Sequence, residues 1–164
     1  MSESAVTTLV QEILRWNHQI SLVSRVDSRG VTLEQVAQCQ RAWSSLAEAL
    51  PLVDWQRDCC WVDVGSGAGL PGLVWAAIRQ EIGAGGFTLL VEPREKRAWF
   101  LGQTARAMGL DGVCVHTSRW GDGVPYSSHA ADLLIVSMKA LHLPESIILA
   151  HAQAAFPGWR GPLL

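Results

Sequence analysis

Two spacings of apolar residues divide the chain. Up to about residue 50 they recur at three- and four-residue steps, the signature of a helix with one buried face. Val6, Leu9, Val10, Ile13 and Leu14 form a first stripe, which ends at the polar Asn17. A turn is expected around Asp27-Ser28-Arg29-Gly30. Thr32 with Gln35 three residues on makes a capping box, and Leu33, Val36, Trp43, Leu46 and Leu50 continue a second stripe. Pro51 stops it. The pattern separates a helical segment, residues 1–52, from a differently built core, residues 53–164.

From residue 59 the apolar residues form runs of strand length, at 59–64, 87–91, 113–115 and 131–136. Helical stretches at 70–81, 94–109 and 143–155 follow them. Strand and helix in alternation predict an α/β fold with parallel pairing and right-handed crossovers. Near-continuous apolar strands such as Leu133-Leu134-Ile135-Val136 fit a sheet covered on both faces. Pro157-Gly158-Trp159-Arg160-Gly161 reads as a turn, and Pro162-Leu163-Leu164 as the first residues of another strand.

Composition narrows the class. With 49% hydrophobic and 17% charged residues among 164, the chain is globular rather than disordered. A formal charge of −2 gives no basic field over the whole protein, so any nucleic acid must be held by a local patch. No apolar run approaches the roughly 20 residues needed to span a bilayer, and Met1-Ser-Glu-Ser does not open a signal peptide. No membrane association and a cytoplasmic location are therefore expected. Cys39, Cys59, Cys60 and Cys114 make no C-x-x-C pair, so no metal site or disulfide framework is expected. The eight tryptophans are scattered along the sequence and are read as core filler and helix anchors, not as base-stacking platforms.

The chemistry concentrates where the first strand ends, at Asp63-Val-Gly65-Ser66-Gly67-Ala-Gly69-Leu70-Pro71-Gly72. Glycines at alternate positions let backbone approach a ligand and adopt positive φ. The helix that follows offers free N–H groups to a carboxylate. Gly67 to Gly72 also satisfies the dinucleotide pattern G-x-G-x-x-G. Two features weigh against NAD: Asp63 precedes the first glycine by two residues, and the glycine alternation starts early, at Gly65. Asp63 either orders the loop or faces a ligand's amino group. Glu92 ends the second strand, where an acid is the expected partner of ribose hydroxyls; its alternative is an exposed helix-start residue favoured by the macrodipole. Arg94, Lys96 and Arg97 form the densest basic cluster, which suits either RNA phosphate or a solvated helix face.

Trp16-Asn17, Leu22-Val-Ser-Arg-Val-Asp27, the glycine loop through Leu-Pro-Gly72, and Lys96-Arg97-Ala-Trp-Phe100-Leu101 together resemble the bacterial small-subunit ribosomal RNA methyltransferase G family, also called glucose-inhibited division protein B. The likeness runs from about residue 10 to 140. It implies a class I S-adenosylmethionine methyltransferase, Rossmann-like with a mostly parallel sheet, carrying an N-terminal helical segment. A complete sheet of that class has seven strands; four and a stub are expected here. The resemblance further implies S-adenosyl-L-methionine as cofactor, 16S rRNA or the small ribosomal subunit as partner, and guanine N7 as methyl acceptor. It assigns Gly65, Gly67 and Gly69 to the methionine side, Glu92 to the ribose, and Ser118 and Arg119 to the adenine end; Asp63, Ser66 and Leu70 of the same loop are expected among the cofactor-binding residues. The family's acid after that arginine is replaced by Trp120-Gly121. Its His-Ile-Leu-Asp-Ser-Leu reads Arg41-Ala-Trp-Ser44-Ser45-Leu46 here, and its Ser-Arg-Ala reads Ser137-Met138-Lys139-Ala140.

Guanine N7 carries an in-plane lone pair, so its methylation needs alignment more than a general base, and alignment alone supplies roughly 7–11 kcal/mol in favourable cases. Ser137, Met138 and Lys139, beyond the end of the fourth strand, are the expected positioning residues. Three readings stay open on the sequence: a ribosomal RNA methyltransferase, a non-catalytic cofactor-binding or regulatory module of the same fold, and an NAD(P)-binding protein. An exposed sheet edge would favour homo-oligomers.

Overall fold

A computed structural model describes residues 3–122, 133–139, 141–157 and 159. Its elements run α1 (Glu3–Ile20), α2 (Ser28–Ala49), β1 (Cys59–Val64), α3 (Gly72–Glu81), β2 (Gly86–Val91), α4 (Glu95–Ala107), β3 (Val113–His116), β4 (Leu133–Met138) and α5 (Glu145–Ala155). The four strands form one parallel sheet in the order β3-β2-β1-β4. β1 and the start of β4 are buried on both faces, as their unbroken apolar runs require.

Alternation along β1 sorts the layers. Cys60, Val62 and Val64 face α5, joined by Leu134, Ala152 and Phe156. Cys59 and Trp61 face the other way and meet Trp43, Trp55 and Trp75. Leu9, Val10 and Ile13 of α1 and Val36 and Cys39 of α2 share a core with Leu73, Leu90, Phe100 and Leu101. The N-terminal helices are thus built into the layer that covers the sheet, and their stripes are buried against α3 and α4.

Several features differ from the sequence pattern. α2 begins at Ser28, capped by Asp27, whose side chain accepts from the Gly30 N–H. Thr32 is therefore inside the helix, and its hydroxyl donates to the Ser28 carbonyl at 2.6 Å instead of forming a capping box. Leu33 is exposed rather than on the buried stripe. α3 starts at Gly72, with Pro71 as its cap after a cis Leu70–Pro71 peptide. β4 continues two residues beyond its expected end, through Ser137, which is buried and hydrogen-bonded, and Met138. Residues 131–132 and the expected further strand at 160–164 lie outside the described residues.

Asn17, the polar end of the first stripe, is also buried. Its carbonyl oxygen accepts from the N–H groups of Leu22 and Val23, and its amide donates to Ser28. One side chain thereby shapes the whole α1–α2 turn. At the N-terminal end of the strands, Arg79 is 4% exposed and donates to the carbonyls of Cys59, Gly85 and Phe87 and to the Thr88 hydroxyl. This guanidinium ties α3 to β1, to β2 and to the loop between them.

Candidate functional site

The carboxyl ends of β1, β2 and β4 and the segment after β3 enclose a cleft of about 580 Å³. Its size falls within the range of small-molecule sites. Ligands of open parallel sheets sit at this end. Gly65, Glu92, Ser118, Arg119 and Lys139 line it, as do Arg94 and Arg97 from the basic cluster and Trp120, Leu141 and Leu143.

The glycine loop is folded by backbone requirements. Gly65, Gly67 and Gly69 take φ of 73°, 54° and 82°, a region costly for other residues. At Gly67 a Cβ would meet nothing closer than 3.7 Å, so that glycine is needed for conformation rather than room. Gly72 is needed for room: a Cβ there would lie 2.5 Å from Leu90 and 2.6 Å from the Asp63 carboxylate.

Glu92 is 3% exposed at the floor of the cleft. One carboxylate oxygen accepts from the Gly67 N–H at 2.9 Å and the other from the Arg94 N–H at 3.0 Å. Each oxygen keeps further lone pairs, so Glu92 can hold the loop and still accept from a diol. Arg97, half-buried beside the loop, donates to the Ser21 carbonyl at 2.7 Å and so pins the α1–α2 turn to the cleft.

Asp63 orders the loop from beneath and does not line the cleft. It is fully buried, accepting from the Gly72 N–H at 3.2 Å and from the Ser137 hydroxyl at 2.8 Å. Ser137 in turn accepts from the Trp61 indole at 3.0 Å. This chain of hydrogen bonds joins β1, β4 and the start of α3. Burial pushes the Asp63 carboxyl up to about 6, against its hydrogen bonds and the positive charge of Lys139.

Ser137 is therefore turned inward rather than towards a reacting group. Met138 lines a separate hollow beside Pro71 and Trp75, and only Lys139 of the three faces the cleft. Lys139 also donates to Gln35 on α2, at 3.3 Å. Ser66, Gly69 and Leu70 are buried in the turn and Gly67 is half-buried; none of the four lines the cleft. The Ser66 hydroxyl donates to the Asp63 carbonyl at 2.7 Å. Trp120, Leu141 and Leu143 were not foreseen. They are isolated residues between elements, and only the family's missing acid drew attention to Trp120.

The cleft combines one carboxylate, several cations and an apolar wall. A carboxylate stands at the end of β2, four cations (Arg94, Arg97, Arg119 and Lys139) surround it, and an apolar wall comes from Trp120, Leu141 and Leu143. Burial pushes the Cys39 thiol up to about 11 and raises those of Cys59 and Cys60, so these thiols are inert packing groups at neutral pH. Among the described residues no helix is long and apolar enough to cross a membrane, and no cluster of side chains could hold a metal ion.

The profile of a family described as rRNA small subunit methyltransferase G matches residues 2–147. A protein of that name from Acidiphilium cryptum is 36% identical over 157 residues, which cover 93% of this chain and 58% of the relative. Another from Methylorubrum populi is 33% identical over 162 residues, covering 98% and 65%. The chain spans about half the length of the curated relatives it matches. Among solved structures, a mutant of MtNAS in complex with S-adenosylmethionine superposes with a TM-score of 0.54 at 21% identity, over 91% of this chain and 51% of that one. An S-adenosylmethionine-dependent methyltransferase from Leishmania major gives 0.52 at 14%, over 97% and 59%. The chain belongs to the rRNA small subunit methyltransferase G family, and its fold is that of the S-adenosylmethionine-dependent methyltransferases.

Proposed function

We propose that this member of the family binds S-adenosyl-L-methionine in the β1–β2–β4 cleft and serves the methylation of guanine N7 in 16S rRNA. The observation that carries the reading is Glu92, a buried carboxylate that holds the glycine loop by the Gly67 N–H and keeps acceptor capacity towards the cleft. The residues fit the group. The positive-φ loop brings the Gly65 backbone to the wall of the cleft, and the cleft has room for a nucleoside with an amino-acid tail. S-adenosylmethionine would supply an electrophilic methyl on a cationic sulfur.

The chain's own part is placement. Glu92 would accept from both ribose hydroxyls. Arg97 and Lys139 flank the loop and balance a carboxylate tail. Trp120, Leu141 and Leu143 would shield one side of the bound ligand from water, which strengthens charge interactions there. No side chain in the cleft is assigned a proton, because an in-plane nitrogen lone pair needs none removed.

Calorimetric titration with S-adenosylhomocysteine, with NADH as control, tests the reading. Micromolar binding of the first alone is expected. Tight binding of NADH alone would move the chain to the dinucleotide binders. Binding of S-adenosylhomocysteine without any methyl transfer to 30S subunits would leave a cofactor-binding module.

A further inference from the structure

A second concave surface lies on the other side of α4. Glu95, Lys96 and Trp99 project from one side of that helix towards Trp16, Gln19 and Ile20 of α1, and the six line a groove of about 330 Å³. Trp99 is 46% exposed, a large apolar surface that packing does not use. It is nonetheless held. Trp16 meets it edge-on, with ring centroids 4.8 Å apart and planes at 82°. Trp16 is itself oriented by its indole N–H, which donates to Glu12 at 3.0 Å, and the Arg15 guanidinium lies 5.4 Å from its ring centroid. The result is a rigid aromatic surface open to solvent.

Basic residues gather at the start of α4, on a chain whose formal charge is −2. The charged residues lining the groove are Lys96 and Glu95; Arg15 beside it pairs with Glu12 at 3.4 Å, while Arg94 and Arg97, next to Lys96 along the chain, line the adjoining cleft. Exposed aromatic faces among cations suit unpaired bases and the phosphates between them, since stacking needs only a π-face and is tolerant of sequence. A duplex hides those faces. Adjacent residues of α4 also point into the two cavities, Lys96 into this groove and Arg97 into the cofactor cleft. A strand crossing the first turn of α4 would therefore touch both.

We propose that the α1–α4 groove is a stacking site for an unpaired base of single-stranded RNA, next to the nucleotide presented to the cleft. The proposal rests on the methyltransferase reading for the presence of RNA, and it turns Trp99 from packing into recognition.

The test is fluorescence anisotropy with a labelled single-stranded RNA of about 12 nucleotides and the matching duplex, within the usual span of single-strand sites. Trp99→Ala should weaken single-strand binding by about 5- to 100-fold, and Trp99→Tyr should restore it to within about threefold, as loss and recovery of one stacked base predict. Lys96→Gln should lower the slope of log affinity against log salt by about 0.7, the loss of one phosphate contact on a single strand. S-adenosylhomocysteine affinity should be the same in all three variants. Unchanged RNA affinity in Trp99→Ala, equal binding of strand and duplex, or no RNA binding by the unmodified chain would each overturn the proposal. So would a Trp99→Ala variant that changes assembly mass and not RNA affinity, which would mark a protein interface. Failure of the unmodified chain to bind S-adenosylhomocysteine would count against the cofactor reading instead.

Discussion

Replacing Asp63 by Asn should abolish a pH dependence that the fold imposes on its own stability. The Asp63 carboxyl titrates near 6 in the folded chain, pushed up by burial, against 3.8 in an ordinary setting. The folded state therefore holds the proton more tightly. The stability this confers is fully present below about pH 3.8 and is lost as pH rises through about 6. At about 1.36 kcal/mol per pH step the gap amounts to about 3 kcal/mol, of which a little over 2 is lost between pH 4 and pH 7. Asn fits the same space: its oxygen can accept from Gly72 while its amide donates to Ser137. The Ser137 hydroxyl, 3.4 Å from the Val62 carbonyl, can then turn to it and still accept from Trp61. Urea titrations of both proteins between pH 4 and pH 7, followed by far-ultraviolet circular dichroism, give the difference in unfolding free energy. That difference should shift in favour of the variant by roughly 2 kcal/mol across the interval. A difference constant to within about 0.5 kcal/mol would refute the reasoning, because Asp63 would then ionise alike in both states.

Three further outcomes are expected. Glu92→Ala should weaken S-adenosylhomocysteine by about 1.5–3 kcal/mol in calorimetry, and a loss below about 0.5 kcal/mol would confine Glu92 to bracing the Gly67 loop. Arg79→Ala should cost about 3 kcal/mol or more of unfolding free energy in urea while leaving cofactor affinity unchanged, since its four acceptors lie at the far end of the sheet. A cost under about 1 kcal/mol would mean that water replaces the guanidinium freely. Among the described residues β4 pairs only with β1, so self-association through its open edge is expected at high micromolar concentration; a monomer by light scattering there would exclude it.

The elements were legible because each keeps largely to one spacing: i, i+3, i+4 in α1, and apolar runs interrupted by a single polar residue, Asp63 in β1 and Thr88 in β2. Boundaries failed where a polar residue is satisfied internally. Thr32 looked like a cap, but its hydroxyl bonds back to Ser28, and Asp27, in a left-handed conformation, does the capping. Ser137 looked like the end of a strand because polarity alone does not reveal a buried partner, here Asp63. The same blindness affected the site. Glu92, Gly65, Ser118, Arg119 and Lys139 converge on the cleft as their places at strand ends suggest, whereas Asp63 and Ser137 bond to each other beneath it. Trp120 and Leu141 belong to no periodic element, and Leu143 falls just before α5 although its apolar spacing reads as part of that helix, so nothing local marks them as lining the cleft. The tryptophans, scattered in sequence, are gathered by register: Trp61 sits opposite Ile135 on β4, under α2 and α3.

That gathering makes the protein's optical behaviour uneven. Trp43, Trp55, Trp61 and Trp75 lie with ring centroids 4.8–6.5 Å apart. Indoles so close share excitation, and their coupled intense transitions give a paired ellipticity band at the long-wavelength edge of the far ultraviolet whenever α2 is seated on the sheet. Trp99 stands outside this group, with Trp16 for a neighbour, and is open to collisional quenchers such as iodide. Coupled bands therefore report the seating of the helical layer, and the quenchable emission reports the α1–α4 groove. Two regions of one unlabelled chain become separately visible in a single cuvette.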